Sequence, residues 1–172
     1  MSLEASKPVR EGAAAGNALD GYFSIKVGGD TFGLPVTRVQ TIFRIGAVTA
    51  APGGPPDIVG LVNLRGKIVT AVSLRRRLGL PVEPGGKSEG RSEGKSEGPG
   101  SLAIGIEHRN EAFALLVDEV GDVLTLTADT AIAPPPHIGK RRARFAAGYN
   151  RIGGRILPLL DIDAVFDFAE DR

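Results

Sequence analysis

The 172-residue chain contains no cysteine and no tryptophan, and only one methionine. Without thiols there is no disulfide, no thiolate nucleophile and no cysteine-based zinc site, and the composition fits a reducing compartment, so a cytoplasmic location is the default expectation. Aromatic residues make up 5% of the chain against 42% hydrophobic residues overall, so the core has to be built from Val, Ile, Leu and Ala rather than from large rings. Charge is almost balanced, with 21 Lys and Arg against 20 Asp and Glu. A net charge of +1 gives no global field to steer nucleic acid or an anionic membrane. No run of about 18 apolar residues occurs, and no basic, apolar, small-residue leader precedes the fold, so neither a membrane span nor a secretory signal is expected. The length is that of one domain.

Catalytic material is also scarce. There are two histidines. His108 falls in an expected hairpin turn and His137 follows three prolines, so both are expected to be exposed loop residues. No Gly-x-Ser-x-Gly elbow, phosphate loop or His-Glu-x-x-His pattern is present. Asp118, Glu119 and Asp122 crowd together, as do Asp161, Asp163 and Asp167, at spacings that suit neither a calcium loop nor a catalytic pair. These acids are expected to be solvated, and no enzymatic activity, metal or cofactor is expected. Two basic clusters stand at residues 75–77 and Lys140–Arg144. Single-strand binders interleave such residues with stacking aromatics, whereas only Phe145 and Tyr149 lie near either cluster. A solvated face, or a patch that meets an acidic protein partner, is the preferred reading. A nucleic-acid-binding barrel using Lys140–Arg144 is the alternative.

What the chain does have is a succession of short aliphatic segments separated by glycine-rich turns. Residues 1–20 lack periodicity and are expected to be a disordered tail. Segments 22–27 and 31–36 form a first expected hairpin across Gly28, Gly29 and Asp30. Segment 37–45 fits a helical turn or a strand equally well, and 47–57 is a proline and glycine loop. Segments 58–64 and 68–74 make a second hairpin across Arg65, Gly66 and Lys67, followed by a short helix stopped by Gly79 and Pro81. Between 84 and 100 the unit Lys/Arg-Ser-Glu-Gly occurs three times, which predicts a flexible loop. Hairpins at 102–117 and 149–160, a strand at 120–126, a proline-rich loop at 133–139 and a short helical end at 161–168 complete the chain.

The two halves resemble each other. FGLPVTRVQTI from Phe32 aligns with FALLVDEVGDV from Phe113, an offset of 81 (113 − 32), and GKIVTAVSL from Gly66 aligns with GRILPLLDI from Gly154, an offset of 88 (154 − 66). Order is preserved, so a duplicated β unit is indicated. Short strands with tight turns favour small closed barrels, because closure removes exposed edges. The expected fold is all-β with short helices, in two similar barrels on a shared apolar core, the first at about 21–83 and the second at about 101–168. One asymmetry singles out Arg65: where the first copy has Leu64 and Arg65, the second has Ile152 and Gly153.

The stretch IVGLVNLRGKI at 58–68 resembles the I-x-G-x-x-N-L-R-G-x-I signature of the CheW-like family of chemotaxis coupling proteins. Two further blocks follow in the family's order, one at Phe32 to Leu34 with Val39 to Ile42 and one at 116–124. The resemblance covers 22–168. It implies two five-stranded SH3-like barrels, no catalysis, and a role coupling the cytoplasmic hairpin tip of chemoreceptors to the regulatory domain of a CheA-type histidine kinase, in arrays at the inner membrane. On this basis the receptor-facing groove includes Val36, Val39, Thr41 and Arg65, and the kinase-facing surface draws on Leu102 and Val123. Gly60, Asn63, Leu64 and Gly66 join the binding set through the signature. The resemblance also implies departures. Thr41 stands where the family commonly has Glu, and Thr70 and Ser73 stand where it tends to have Pro and Asp. Those changes allow an adaptor of another chemosensory pathway, such as pilus motility or biofilm control.

Overall fold

A computed structural model describes residues 21–80 and 97–168. The expected tail at 1–20 and most of the expected loop at 84–100 lie outside the described residues. The strands are β1 (Gly21–Val27), β2 (Asp30–Pro35), β3 (Val39–Arg44), β4 (Ile58–Leu64), β5 (Lys67–Ser73), β6 (Leu102–His108), β7 (Glu111–Val117), β8 (Glu119–Thr125), β9 (Ala131–Ile132), β10 (Ala146–Ile152) and β11 (Arg155–Leu160). Short helices are α1 (Leu74–Arg77), α2 (Lys140–Arg144) and α3 (Ile162–Val165). The ambiguous segment after β2 divides its conformation, with a 3-10 turn at Val36–Arg38 and then β3.

Two sheets form, in the orders β8-β1-β2-β11-β10-β9 and β3-β6-β7-β5-β4. They are the two SH3-like barrels, called A and B here. Neither barrel is a contiguous half of the chain, which corrects the division into 21–83 and 101–168. Hairpin β1-β2 crosses to the C-terminal strands, where β2 pairs in parallel with β11 at Gly33 and Leu159. Hairpin β6-β7 crosses the other way, and β7 pairs in parallel with β5 from Thr70 and Phe113 to Ser73 and Leu116. Each duplicated unit therefore contributes its first hairpin to the barrel of the other.

Burial explains why the exchange is stable. Strand β7 ends in FALLV, with no alternation of polar and apolar residues, because both of its faces are covered there. Phe113, Leu115 and Val117 join the core between the barrels, together with Ile25, Leu34, Val72, Ile104 and Leu160. Ala114 and Leu116 point the other way, into barrel B with Val62, Val69 and Ala71. Barrel A is filled by Tyr22, Leu126, Leu157 and Leu159. A strand with two buried faces is held from both sides, so its register resists slippage.

The duplication extends to the helix starts. Ser73 Oγ accepts from the Arg76 amide at 3.1 Å, and at the matching place Asp161 Oδ1 accepts from the Ala164 amide at 3.2 Å. Both are N-caps, for which Ser and Asp are favoured residues. Among the described residues no helix is long and apolar enough to cross a membrane.

Candidate functional site

Four turns define the barrel ends, and each joins its strands through two residues of positive φ. In barrel A these are Gly28 (62°) with Gly29 (90°), and Gly153 (58°) with Gly154 (82°). In barrel B they are Arg65 (53°) with Gly66 (85°), and Arg109 (54°) with Asn110 (66°). Such two-residue turns match the right-handed twist of the hairpin and need left-handed backbone at both positions. Glycine takes that conformation freely, whereas a side-chain-bearing residue costs about 1 kcal/mol. By the two offsets Arg65 corresponds to Gly153 and Arg109 to Gly28. At the first position of each turn barrel B thus places arginine where barrel A uses glycine.

Arg65 is exposed, and its Nη2 donates to Thr41 Oγ1 of β3 at 3.1 Å. Behind this pair the strands approach closely. A Cβ on Gly105 would come within 2.8 Å of Thr41 Cγ2 and 3.4 Å of Leu64 Cδ2, so Thr41, Leu64 and Arg65 meet over a glycine of β6. Among the described residues no carboxylate pairs with Arg65. The Thr41 hydroxyl takes one of the guanidinium donors and neutralises no charge, so Arg65 keeps donors for another acceptor.

The other signature residues serve the fold. Asn63 Oδ1 accepts from the Gly66 amide at 2.9 Å and closes the turn that presents Arg65. Gly60 has φ 154°, and a Cβ there would lie 2.6 Å from the Thr49 carbonyl oxygen and 2.7 Å from Val48 Cγ1. That contact follows from the Thr49–Leu61 bridge, which holds the loop after β3 against β4 by backbone bonds of 2.9 and 2.8 Å. Leu64 is half-buried and packs toward the interior of barrel B. Gly66 supplies positive φ in open space.

The residues expected on two separate surfaces are distributed differently. Val36 and Val123 lie together, each with a methyl 3.4 Å from the position of a Cβ built on Gly21. Val123 is 54% exposed, so an apolar spot spans the 3-10 turn and β8. Val39 and Leu102 are half-buried against the core between the barrels. Leu102 is therefore less open to a partner than Val123. Among the described residues the exposed large hydrophobics form two matched pairs: Ile42 and Val123 are 81 apart, and Ile68 and Ile156 are 88 apart. Each barrel presents one member of each pair.

Several residues expected in solvent are structural. Arg77 is fully buried; its Nε donates to the Val165 carbonyl at 2.7 Å, its Nη1 to Asp57 Oδ2 at 3.2 Å, and its Nη2 to the carbonyls of Ala164 and Asp167 at 3.1 Å. The guanidinium lies 4.8 Å from the Phe145 ring centroid and 4.4 Å from that of Phe168. It satisfies the end of α3, where helix carbonyls lack internal partners. Arg75 is also buried and pairs with Asp118 at 2.7 Å, while the same carboxylate accepts from the Gly28 amide at 2.8 Å. Asp118 is therefore bonded rather than merely solvated. Arg141 of α2 donates to the carbonyls of Arg77 and Arg76 at 2.9 and 3.0 Å, and Arg142 pairs with Asp30 at 2.7 Å. The guanidiniums at 141 and 142 are turned toward the protein itself, which removes the main support for the nucleic-acid alternative.

His108 is likewise buried rather than exposed. The turn contains only Arg109 and Asn110, so His108 is the last residue of β6 and shares a face with Ile104 and Ile106. Its ring is 5.7 Å from that of Phe166, and Nδ1 lies 3.4 Å from Asp163 Oδ1. His137 is exposed, as expected. At the end of the repeated segment Glu97 is bound: Ser73 Oγ donates to its carboxylate, and Arg76 Nε lies 3.1 Å from Oε1. The final residues of the expected flexible loop are thus part of the fold. Among the described residues no group of three or more His, Cys, Asp or Glu is placed to hold a metal ion.

Comparison with known proteins agrees with this architecture. The CheW-like domain family matches residues 21–170. The chain is 30% identical over 151 residues to a probable chemotaxis protein CheW of Rhizobium etli, covering 87% of this chain and 88% of that one. It is 29% identical over 141 residues to the chemotaxis protein CheW of Bacillus subtilis, covering 82% and 83%. The crystal structure of the scaffolding protein TtCheW from Thermoanaerobacter tengcongensis superposes with a TM-score of 0.68 at 22% identity, over 87% of this chain and 93% of that one. The crossed pair of barrels, the signature turn carrying Arg65 and the match across the described fold place this chain in the CheW-like domain family.

Proposed function

We propose that the chain is a non-catalytic adaptor of chemotaxis signalling, which couples the cytoplasmic hairpin tip of a chemoreceptor to the regulatory domain of a CheA-type histidine kinase. The observation that carries this reading is the family match over residues 21–170, against relatives named as chemotaxis proteins. The proposed mechanism is coupled binding, in which both partners are held on one rigid body and a change in the receptor alters the environment of the kinase. An adaptor needs at least two docking surfaces, and the matched apolar pairs Ile42 with Val123 and Ile68 with Ile156 support one on each barrel. Interfaces of about 800 Å² per partner with a few anchors are sufficient for specific association. In this reading Arg65 and Thr41 lie at one contact, with Val36 and Val123 at an adjoining apolar spot, and the protein works at the inner face of the membrane where the receptors end.

The test is reconstitution with a receptor hairpin fragment and a CheA-type kinase. Arg65→Ala is expected to leave the circular dichroism spectrum unchanged and to weaken binding to the receptor fragment or the kinase about tenfold, as loss of a charge-assisted contact predicts. Unchanged affinity for both partners would remove Arg65 from the interface. Failure of wild-type protein to bind either partner would overturn the adaptor reading itself.

A further inference from the structure

The two left-handed arginines of barrel B are neighbours by topology. Strands β5 and β7 run parallel and adjacent, with Thr70 opposite Phe113. Carried back along the strands, the same register sets Lys67 opposite Asn110, so the Arg65–Gly66 and Arg109–Asn110 turns lie side by side on one rim. Arg65, Lys67 and Arg109 are all exposed there. Among the described residues no hydrogen bond or ion pair reaches the side chains of Lys67 and Arg109, and Arg65 has only the Thr41 hydroxyl. Glu107 and Glu111 flank the second turn; Glu107 accepts from Gln40 Nε2 at 2.9 Å, and neither carboxylate pairs with an arginine of the rim among the described residues.

Nothing in the fold asks for arginine at these positions. The corresponding turns of barrel A close with glycine, which takes the same left-handed region of φ without strain. Side-chain contacts within the described fold do not account for Arg109, and a single exposed bond to a neutral hydroxyl accounts poorly for Arg65. Two guanidiniums held on strained but rigid turns are pre-organised donors, and their complement is an anion of matching spacing. Ile68, 64% exposed, follows Lys67 in β5 next to the Arg65 turn, and Ile42 follows Thr41 at 40% exposure. An apolar side chain among the cations suits a protein segment with carboxylates and aliphatic residues better than a phosphate backbone.

We propose that this rim is a carboxylate clamp, in which Arg65 and Arg109 together bind an acidic segment of a protein partner while Ile68 receives an apolar side chain. The clamp deepens the adaptor reading at Arg65, on which it rests in part, and adds Arg109, which that reading does not use.

The test is a titration of the ¹⁵N-labelled full chain with a capped peptide of alternating Glu and Leu, its Gln-Leu analogue and a short single-stranded oligonucleotide. The Glu peptide is expected to shift the amides of Gly66 and Asn110, with the effect lost in high salt and with the Gln analogue. Arg65→Gly and Arg109→Gly are each expected to weaken that binding about tenfold. The thermal midpoint should hold or rise, because glycine accepts positive φ without strain; a merely structural arginine would not combine stronger folding with weaker binding. Equal shifts with the Gln analogue, wild-type affinity in the double variant, or an oligonucleotide acting on the same amides with equal strength would overturn the clamp. The same variants distinguish the two readings. Loss of receptor fragment and kinase with the Glu peptide still bound would remove the clamp and leave the adaptor, whereas loss of the peptide with both partners retained would leave the clamp and take Arg65 out of the adaptor interface.

Discussion

Arg77 and Val165 occupy corresponding positions of the two duplicated units, 88 residues apart, and the Nε of the first donates to the carbonyl of the second at 2.7 Å. The two short helices are thus tied across the pseudo-symmetry by an arginine whose counterpart is a valine. Where α3 has Val165 in the core, α1 has a guanidinium, with Asp57 as its counter-charge and the rings of Phe145 and Phe168 beside it.

This arrangement makes Arg77 a stability residue, with its side chain out of reach of solvent. Arg77→Met is expected to lower stability by about 3 to 5 kcal/mol, because it leaves Asp57 buried without its counter-charge and strands the carbonyls of α3. Urea denaturation followed by circular dichroism measures the loss. Arg77→Lys should recover only part of it, since an ammonium cannot reproduce the planar set of donors. A loss below about 1 kcal/mol for Arg77→Met would refute the role.

Glu97 gives a milder case. Its carboxylate receives the Ser73 hydroxyl and lies beside Arg76 at 3.1 Å, at the point where α1 begins. Glu97→Ala should cost about 1 kcal/mol, the usual net worth of a partly exposed charged hydrogen bond. Thermal melts of this variant beside Glu107→Ala, whose side chain only meets exposed Gln40, separate an anchored carboxylate from a surface one.

The turns were legible in the sequence because glycine marks positive φ: Gly28 with Gly29, Gly66, and Gly153 with Gly154 all fall where the hairpins close. The duplication was legible for the same reason, since equal units repeat equal strands and caps. The exchange of hairpins was not legible. Parallel pairing of β2 with β11 and of β5 with β7 joins residues far apart in the chain, and no local pattern records which distant edge a strand will meet. Burial of Arg75 and Arg77 was hidden in a row of three arginines, where only the three-dimensional positions of Asp118 and the α3 carbonyls distinguish the buried members from half-buried Arg76. His108 was misplaced by a single residue. With a two-residue turn at Arg109 and Asn110, strand parity puts His108 on the face of Ile104 and Ile106, a signal that was present but required the turn length first. The broken symmetry at Gly153 singles out Arg65 in the sequence, whereas the pairing of Arg109 with Gly28 lies just outside the aligned blocks that begin at Phe32 and Phe113.

Tyr149 predicts a pH effect. Burial pushes its hydroxyl above its ordinary value of 10.0, because the phenolate is poorly solvated in the fold. A raised folded value means that the contribution to stability is intact below the unfolded value and is lost as pH rises through the folded one. Between about pH 9 and pH 11 the wild type should therefore lose more stability than Tyr149→Phe, which has no proton to release. Parallel stability curves for the two proteins over that range would contradict the assignment.

Two glycines of the signature stretch should differ in how much a methyl group costs them. At Gly66 φ is 85° and nothing lies within 4 Å of an added Cβ, so Gly66→Ala carries only the left-handed backbone penalty of about 1 kcal/mol. At Gly60 the same atom would stand 2.6 Å from the Thr49 carbonyl oxygen, a backbone atom fixed by its bridge to Leu61. Neither partner can withdraw without breaking that bridge or the β4 ladder, so Gly60→Ala should cost about 3 kcal/mol or more. Amide exchange at Thr49 and Leu61 gives the local readout: protection should fall at both in Gly60→Ala and persist in Gly66→Ala. If the two variants melted together with Thr49 still protected, the close approach would not be what requires glycine at position 60, and its place in the signature would then need a contact with a partner.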